Sequence, residues 1–157
     1  MKKIDFLITL TAHENDANNV TIAFTMGLQA AQKGYDTVIL LLSNAVALAE
    51  KGYADKIDIG EPFKPIKELL PAYLAAGGRI AVCSACMKHN GVDEANIIDG
   101  VEVVTADFVI DGIMAAEKTL QCLLIKNYWG ISSLRLSNNN HFFCKEVVIF
   151  GKPYFHI

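Results

Sequence analysis

Two cysteines, Cys83 and Cys86, stand three positions apart, directly after the short apolar run at 79–82. The run predicts a strand and the residues after it predict a helical turn, and unpaired backbone amides at the start of a helix stabilise a thiolate, the nucleophilic form of a thiol. Three positions along such a turn, Cys86 would share a face with Cys83 and could attack a persulfide or mixed disulfide formed there. The spacing therefore predicts thiol chemistry, with Cys83 as the reactive sulfur and Cys86 as a resolving or auxiliary thiol.

Two other interpretations of this cysteine pair stay open. Free cysteine is among the most buried residue types, so the pair can also be part of a packed core. Zinc needs four ligands, and Cys83, Cys86 and His89 would need one more residue from another element. The sequence holds no second CxxC and no HxxxH, so thiol chemistry is preferred to zinc, and no metal or cofactor is predicted.

A polar loop follows the first predicted strand. Its residues His13, Glu14 and Asn15 would lie at the same edge of a parallel sheet as Cys83, where they could line a shared pocket. His13 could then act as an acid, a base or a partner of the thiolate, although an ordinary solvated loop histidine is the preferred explanation. The loop lacks the glycines of a phosphate-binding loop, so no nucleotide site is predicted.

Lys88 and His89 follow the cysteine pair closely. They would add positive potential near a thiolate and are the last candidates for the pocket. A solvent-facing position at the end of a helix explains both residues as well.

The segment at 3–121 alternates between two patterns of apolar residues. Continuous β-branched runs predict strands at 4–11, 37–42, 79–82 and 101–105, and helical spacing predicts helices at 17–33, 65–76 and 107–124, with short helices at 43–51 and 93–98. Asn15 and Asp16 are the candidate N-caps of the first helix, and Gly34 is expected to end it. Strands that alternate with helices indicate a single-domain α/β fold, with a parallel or mostly parallel sheet flanked by helices on both faces.

Residues 122–157 do not continue this alternation and are expected to form a C-terminal extension of the domain at 1–121. A strand or hairpin at 141–150, with Asn139 and Asn140 in the turn, would cover a sheet edge or cross to a neighbouring subunit. The aromatic residues of this extension indicate that it packs against protein: Trp129, Phe142, Phe143, Phe150, Tyr154 and Phe155.

Composition excludes several classes of protein. Of the 157 residues 52% are hydrophobic and only 20% are charged, which excludes a disordered chain and leaves apolar surface for a homo-oligomer. The net charge of −3 argues against nucleic acid as a partner.

No segment has the features of a membrane or export signal. The longest apolar stretch, at 38–49, is shorter than the roughly 20 residues that span a bilayer. Asp5 interrupts the run after Lys2 and Lys3, so no signal peptide is expected, and the sequence predicts a cytoplasmic protein whose four cysteines stay reduced.

The region at 3–121 resembles the DsrE/DsrF-like family, which includes small YchN-like proteins and the sulfur-relay subunit TusD. The resemblance rests on a strand and loop before a long helix containing alanine and glycine, on Gly34 before an all-apolar strand, and on a short strand that ends in Cys83 with Gly91 eight residues later. It implies a parallel sheet flanked by helices and assembled as a trimer or hexamer. Cys86 and the pair His89-Asn90 depart from the family pattern, so the donor and the acceptor of sulfur stay open.

Two functions are compatible with these residues. The resemblance implies a sulfur-relay carrier or sulfurtransferase-like protein that accepts sulfane sulfur as a persulfide on Cys83 and exchanges it with a donor or acceptor protein. The alternative is a non-enzymatic, homo-oligomeric binding or assembly module with a structural or zinc-binding CxxC. Access to the Cys83 sulfur distinguishes the two.

Overall fold

The computed structural model describes residues 3–122 in full and, beyond them, the backbone of two strands at 143–144 and 147–151. The strands are β1 (Phe6–Leu10), β2 (Thr37–Leu41), β3 (Arg79–Cys83), β4 (Glu102–Val104), β5 (Lys118–Cys122), β6 (Phe143–Cys144) and β7 (Val147–Gly151). The α-helices are α1 (Ala17–Gln32), α2 (Ile66–Ala75), α3 (Ser84–Asn90) and α4 (Ala106–Ala115). Short 3-10 helices lie at Glu14–Asp16, Ser43–Ala49, Ala54–Lys56 and Glu94–Asn96.

The described strands form one sheet in the order β4-β3-β2-β1-β5-β7-β6. Strands β1 to β5 are parallel, and Phe6 of β1 lies beside Thr37 of β2 on one side and Lys118 of β5 on the other. β7 runs antiparallel to β5. The sheet is thus mostly parallel, as the alternation of strands and helices predicts, and all five parallel strands end at the same edge.

Helices cover both faces of the sheet, which confirms the expected architecture. One face belongs to a large core with α1, α2 and α3, and Phe24 of α1 and Tyr73 of α2 are fully buried there. On the other face, Phe108, Val109 and Ile113 of α4 pack against a smaller cluster of sheet residues.

The ends of α1 follow from its flanking residues. The Asp16 side chain accepts a hydrogen bond from the Asn19 amide at 3.2 Å and so caps the helix. Gly34 follows the helix with φ +86°, a conformation that residues with a Cβ rarely adopt. Both predicted boundaries are confirmed.

A buried tyrosine connects α2 to the sheet. The Tyr73 hydroxyl lies 2.9 Å from the Thr37 carbonyl oxygen and 2.8 Å from that of Arg79. Gly78 leaves room for the ring, since a Cβ at that position would lie 2.1 Å from it. The turn between α2 and β3 is therefore built around Tyr73.

The predicted helix at 107–124 is wrong in its second half. α4 ends at Ala115, and Lys118–Cys122 is β5, which pairs with β1. Leu120 and Cys122 are buried and alternate with the half-buried Thr119 and Gln121, a period of two that fits a strand. The open side of β1 provides the hydrogen bonds that a helix would otherwise make within itself.

The extension is described only in part. β7 covers the edge of β5, as expected, and β6 pairs antiparallel with β7. Asn139 and Asn140 lie outside the described residues, as do Trp129, Tyr154 and Phe155. The domain boundary after residue 121 and a crossing to another subunit stay predictions.

Candidate thiol site

Cys83 stands where β3 passes into α3. It is the last residue of the strand and the N-cap of the helix, with extended backbone angles (φ −70°, ψ 117°). Its side chain belongs to the buried set, with 8% of its surface exposed. The predicted junction therefore exists, and it holds the Cys83 sulfur beneath the surface.

Cys86 lies in the first turn of α3 and is half-buried. Burial raises the pKa of its thiol above the ordinary value, and a hydrogen bond to the Cys83 side chain raises it further. A hydrogen bond from the Ser43 backbone acts in the opposite direction, because it stabilises the thiolate of Cys86. The Cys86 side chain thus interacts with Cys83 and with the Ser43 backbone.

Ser43 has an unusual backbone conformation at the end of β2. Its φ of +52° lies in the left-handed region, where a serine is uncommon. The Asn90 side-chain amide donates to the Ser43 carbonyl oxygen at 3.2 Å and to the Cys86 carbonyl oxygen at 2.8 Å. We call this contact the Ser43–Asn90 bridge; it fastens the loop after β2 to the helix that carries Cys86.

Neither residue of this bridge stands out in the sequence as part of a site. Asn90 does precede Gly91, which ends α3 with φ +72°, and Ser43 does follow a strand whose five residues are all buried. These signals mark turns, but they do not show that the two turns meet.

Lys88 and His89 lie away from the first turn of α3. They occupy its last turn and are exposed. Positive side chains there suit the negative end of the helix dipole. The structure thus places them at the opposite end of α3 from the cysteine pair.

The polar loop after β1 forms a cluster of its own. His13 Nδ1 lies 3.0 Å from the Tyr53 hydroxyl, and the His13 amide donates to the Asn15 side chain at 3.2 Å. Glu14 pairs with Lys56, whose ammonium also lies 4.1 Å from the centre of the Tyr53 ring. The hydrogen bond from Lys56 lowers the pKa of Glu14. The contacts of this loop are with the segment at 53–56, and no hydrogen bond or ion pair among the described residues joins it to the cysteine pair.

Cys122 ends β5 at the same edge of the sheet. It is fully buried, and burial raises its pKa to about 12. A thiol of this kind is unreactive at neutral pH. Cys122 is therefore a core residue.

A cavity of about 490 Å³ opens at the opposite end of the strands, where β1 and β5 begin. It is lined by apolar side chains of Phe6, Met26, Ala30 and Tyr35 and is flanked by charged residues that include Lys33 and Lys118. It therefore lies at the far ends of the strands from the cysteine pair.

Metal-ligating side chains do not gather anywhere in the described part of the chain. No group of three or more histidine, cysteine, aspartate or glutamate side chains stands close enough there to hold a metal ion. None of the described helices is both long and apolar enough to cross a membrane.

Comparison with known families gives a match across the described domain. The model of the DsrE/DsrF-like family matches residues 2–122. An uncharacterised protein of Methanocaldococcus jannaschii is 29% identical over 106 residues, which are 66% of this chain and 38% of that protein. An uncharacterised protein of Methanopyrus kandleri is 24% identical over 98 residues, 62% of this chain and 77% of its own length. The chain thus spans well under half the length of the first of these relatives.

Solved structures agree on the fold. The YchN protein of E. coli superposes with a TM-score of 0.62 at 21% identity, over 77% of this chain and 99% of its own. A protein of unknown function from Methanobacterium thermoautotrophicum gives a TM-score of 0.54 at 14% identity, over 76% of this chain and 99% of its own. At these identities the likeness extends to the fold alone.

Proposed function

The chain belongs to the DsrE/DsrF-like family, and from that premise we propose that it is a sulfur-relay carrier or sulfurtransferase-like protein that accepts sulfane sulfur as a persulfide on Cys83. One observation carries the proposal: Cys83 ends a parallel strand at the start of a helix, and a second thiol, Cys86, lies in the first turn of that helix. Reactive groups of open parallel sheets gather at this edge.

The transfer itself needs no external oxidant or reductant. The Cys83 thiolate attacks the outer sulfur of a donor persulfide, a new S–S bond forms on Cys83, the S–S bond of the donor breaks, and the donor leaves as a thiolate. Cys86 stands three positions along the same turn, where its thiol can donate a hydrogen bond to the reacting Cys83 sulfur. Cys86 thus supports the acceptor role of Cys83.

The burial of Cys83 favours the second candidate function, a binding or assembly module in which the cysteine pair is structural. With 8% of its surface exposed, its sulfur is reached with difficulty, as expected of a structural thiol in a binding or assembly module. The half-buried Cys86 is the more exposed residue of the pair. A sulfur donor must therefore approach Cys83 from the side of Cys86.

We also propose that the carrier is cytoplasmic and works as a homo-oligomer, a trimer or hexamer, that meets a donor or acceptor protein. Two large apolar side chains on one face of α4 support assembly: Ile110 is 60% exposed and Met114 72%. They stand four positions apart, so they form one patch. Such a patch is typical of a contact surface between subunits.

Intact-protein mass spectrometry after incubation with a sulfane-sulfur donor tests the carrier. We expect a gain of one sulfur atom by the Cys86→Ser variant and no gain by Cys83→Ser. Cys86→Ser is the matched control, because it removes the neighbouring thiol and leaves the acceptor. An equal gain by both variants would exclude Cys83 as the acceptor, and no gain by either would favour the structural module.

A further inference from the structure

We propose that the cysteine pair also releases the bound sulfur as hydrosulfide: Cys86, aligned by the Ser43–Asn90 bridge, attacks the Cys83 persulfide and forms an intramolecular disulfide. This inference rests on the proposed function, since it starts from a persulfide on Cys83. It adds a product and a positioning residue, Asn90.

The first support is the placement of the two sulfurs. Cys83 is the N-cap of α3 and Cys86 is the third residue of the helix, so both side chains lie on one side of the same turn. The N-cap and the third helical residue are positions whose side chains commonly reach each other's backbone. The two side chains interact across this turn, and the interaction contributes to the raised pKa of Cys86.

The second support is the surroundings of the Cys86 sulfur. Burial raises the pKa of the Cys86 thiol, and a hydrogen bond from the Ser43 backbone acts against this rise by stabilising the thiolate that must attack. Ser43 provides this donor in a left-handed conformation, at φ +52°. A residue held in such a conformation needs support from its surroundings, and such residues are concentrated at functional sites.

The Asn90 side chain supplies that support. One amide group donates to Ser43 at 3.2 Å and to Cys86 at 2.8 Å, both through carbonyl oxygens. The Ser43 backbone and the Cys86 backbone are therefore both hydrogen-bonded to the Asn90 side chain. Asn90 acts through these two residues and does not touch the reacting atoms.

The chemistry balances within the chain. The Cys86 thiolate attacks the Cys83 Sγ, a Cys83–Cys86 disulfide forms, and the bond from Cys83 Sγ to the outer sulfur breaks. The outer sulfur gains two electrons and leaves as hydrosulfide, while the two cysteine sulfurs are oxidised to the disulfide. The proton lost by Cys86 goes to solvent. A further turnover requires an external dithiol, which reduces the disulfide by exchange and is itself oxidised.

A single-turnover experiment on the full chain tests the inference. The reduced protein is mixed with one equivalent of a small-molecule persulfide, the donor is removed, and hydrosulfide and disulfide are measured over time. We expect wild type to release one hydrosulfide per disulfide formed. Cys86→Ser should keep its persulfide and release none.

A separate comparison of variants tests the positioning role of Asn90. Asn90→Ala should load the same amount of sulfur and release hydrosulfide at least about tenfold more slowly, whereas Asn90→Gln, which keeps the amide, should recover part of the rate. Asn96→Ala is the matched control, because Asn96 is an exposed asparagine whose two described hydrogen bonds both use its backbone. Release by Asn90→Ala at the wild-type rate would overturn the role of Asn90.

The outcomes separate this inference from the proposed function. If Cys86→Ser loads sulfur and wild type holds its persulfide without forming a disulfide, hydrosulfide release is wrong and the carrier stands. If Cys86→Ser does not load, the carrier itself is wrong. Circular dichroism spectra identify any variant that does not fold. Whether wild type releases hydrosulfide and forms the disulfide decides the inference independently of the variants.

Discussion

Cys86 is more accessible than Cys83, although the two stand three positions apart in one turn. The half-buried thiol is thus the one expected to meet reagents first, and the buried thiol is the proposed acceptor. Division of the two tasks between neighbouring sulfurs explains why a chain with a buried acceptor would need a second cysteine.

Native labelling with iodoacetamide should follow this difference in access. At a pH high enough to ionise both thiols, we expect Cys86 to be labelled before Cys83 and Cys122 to stay unlabelled, as read by peptide mass spectrometry. Because the pKa of Cys86 is raised, its labelling rate should continue to rise at pH values above the ordinary thiol value of about 8.5. Denatured protein, in which all thiols are open, is the control, and faster native labelling of Cys83 would contradict the burial.

Cys122 should make the free energy of unfolding depend on alkaline pH. The folded pKa of about 12 exceeds the unfolded value of about 8.5, so between these values the unfolded state loses the proton first and stability falls as pH rises. Urea unfolding from about pH 7.5 to about pH 10.5 measures the slope. Cys122→Ala should have a lower free energy of unfolding at neutral pH, and that free energy should decline less steeply as pH rises. The contributions of titrating groups common to both proteins cancel in this comparison. Parallel curves of unfolding free energy against pH would contradict the raised pKa of Cys122.

Removal of the Tyr73 hydroxyl should destabilise the domain. Tyr73→Phe leaves the Thr37 and Arg79 carbonyl oxygens without this buried donor, and we expect a loss of about 1–3 kcal/mol in the free energy of unfolding. Tyr35→Phe removes the same hydroxyl from a side chain that is 55% exposed and should stay within about 0.5 kcal/mol of wild type. Equal effects of the two substitutions in urea titrations would show that the Tyr73 contacts contribute nothing.

The exposed face of α4 should take part in assembly. Size-exclusion chromatography with light scattering should give the full chain a mass of several 17.2 kDa units. Met114→Lys should lower that mass, whereas Phe63→Lys, at an exposed apolar residue outside α4, should leave it unchanged. A monomeric wild-type chain would reject assembly, and an unchanged mass for Met114→Lys would remove α4 from the contact.

The parts of the fold that local chemistry decides could be predicted from the sequence. The cap at Asp16, the turn at Gly34 and the strand that ends in Cys83 each depend on neighbouring residues, and each is confirmed. β5 could not be predicted in this way, because its five residues form a strand only beside β1, a partner distant in sequence.

The same limit applies to the candidate site. The cysteine pair is local and can be recognised from its spacing, but the bond between Ser43 and Asn90 joins residues 47 positions apart. Its donor and acceptor are ordinary turn residues when each is considered alone. Only the packing of α3 against the 3-10 helix after β2 brings them together.

The central place of β1 has a consequence for synthesis of the chain. β1 is made before the other described strands and meets β2 once α1 has been made, but its other neighbour, β5, is made only after β3 and β4. Until then the nascent chain presents an unpaired strand edge in the middle of its future sheet, where another chain can pair with it. A transcript that stops before the codon for Lys118 should therefore yield an aggregating product, and the full chain should depend on chaperones most during that interval.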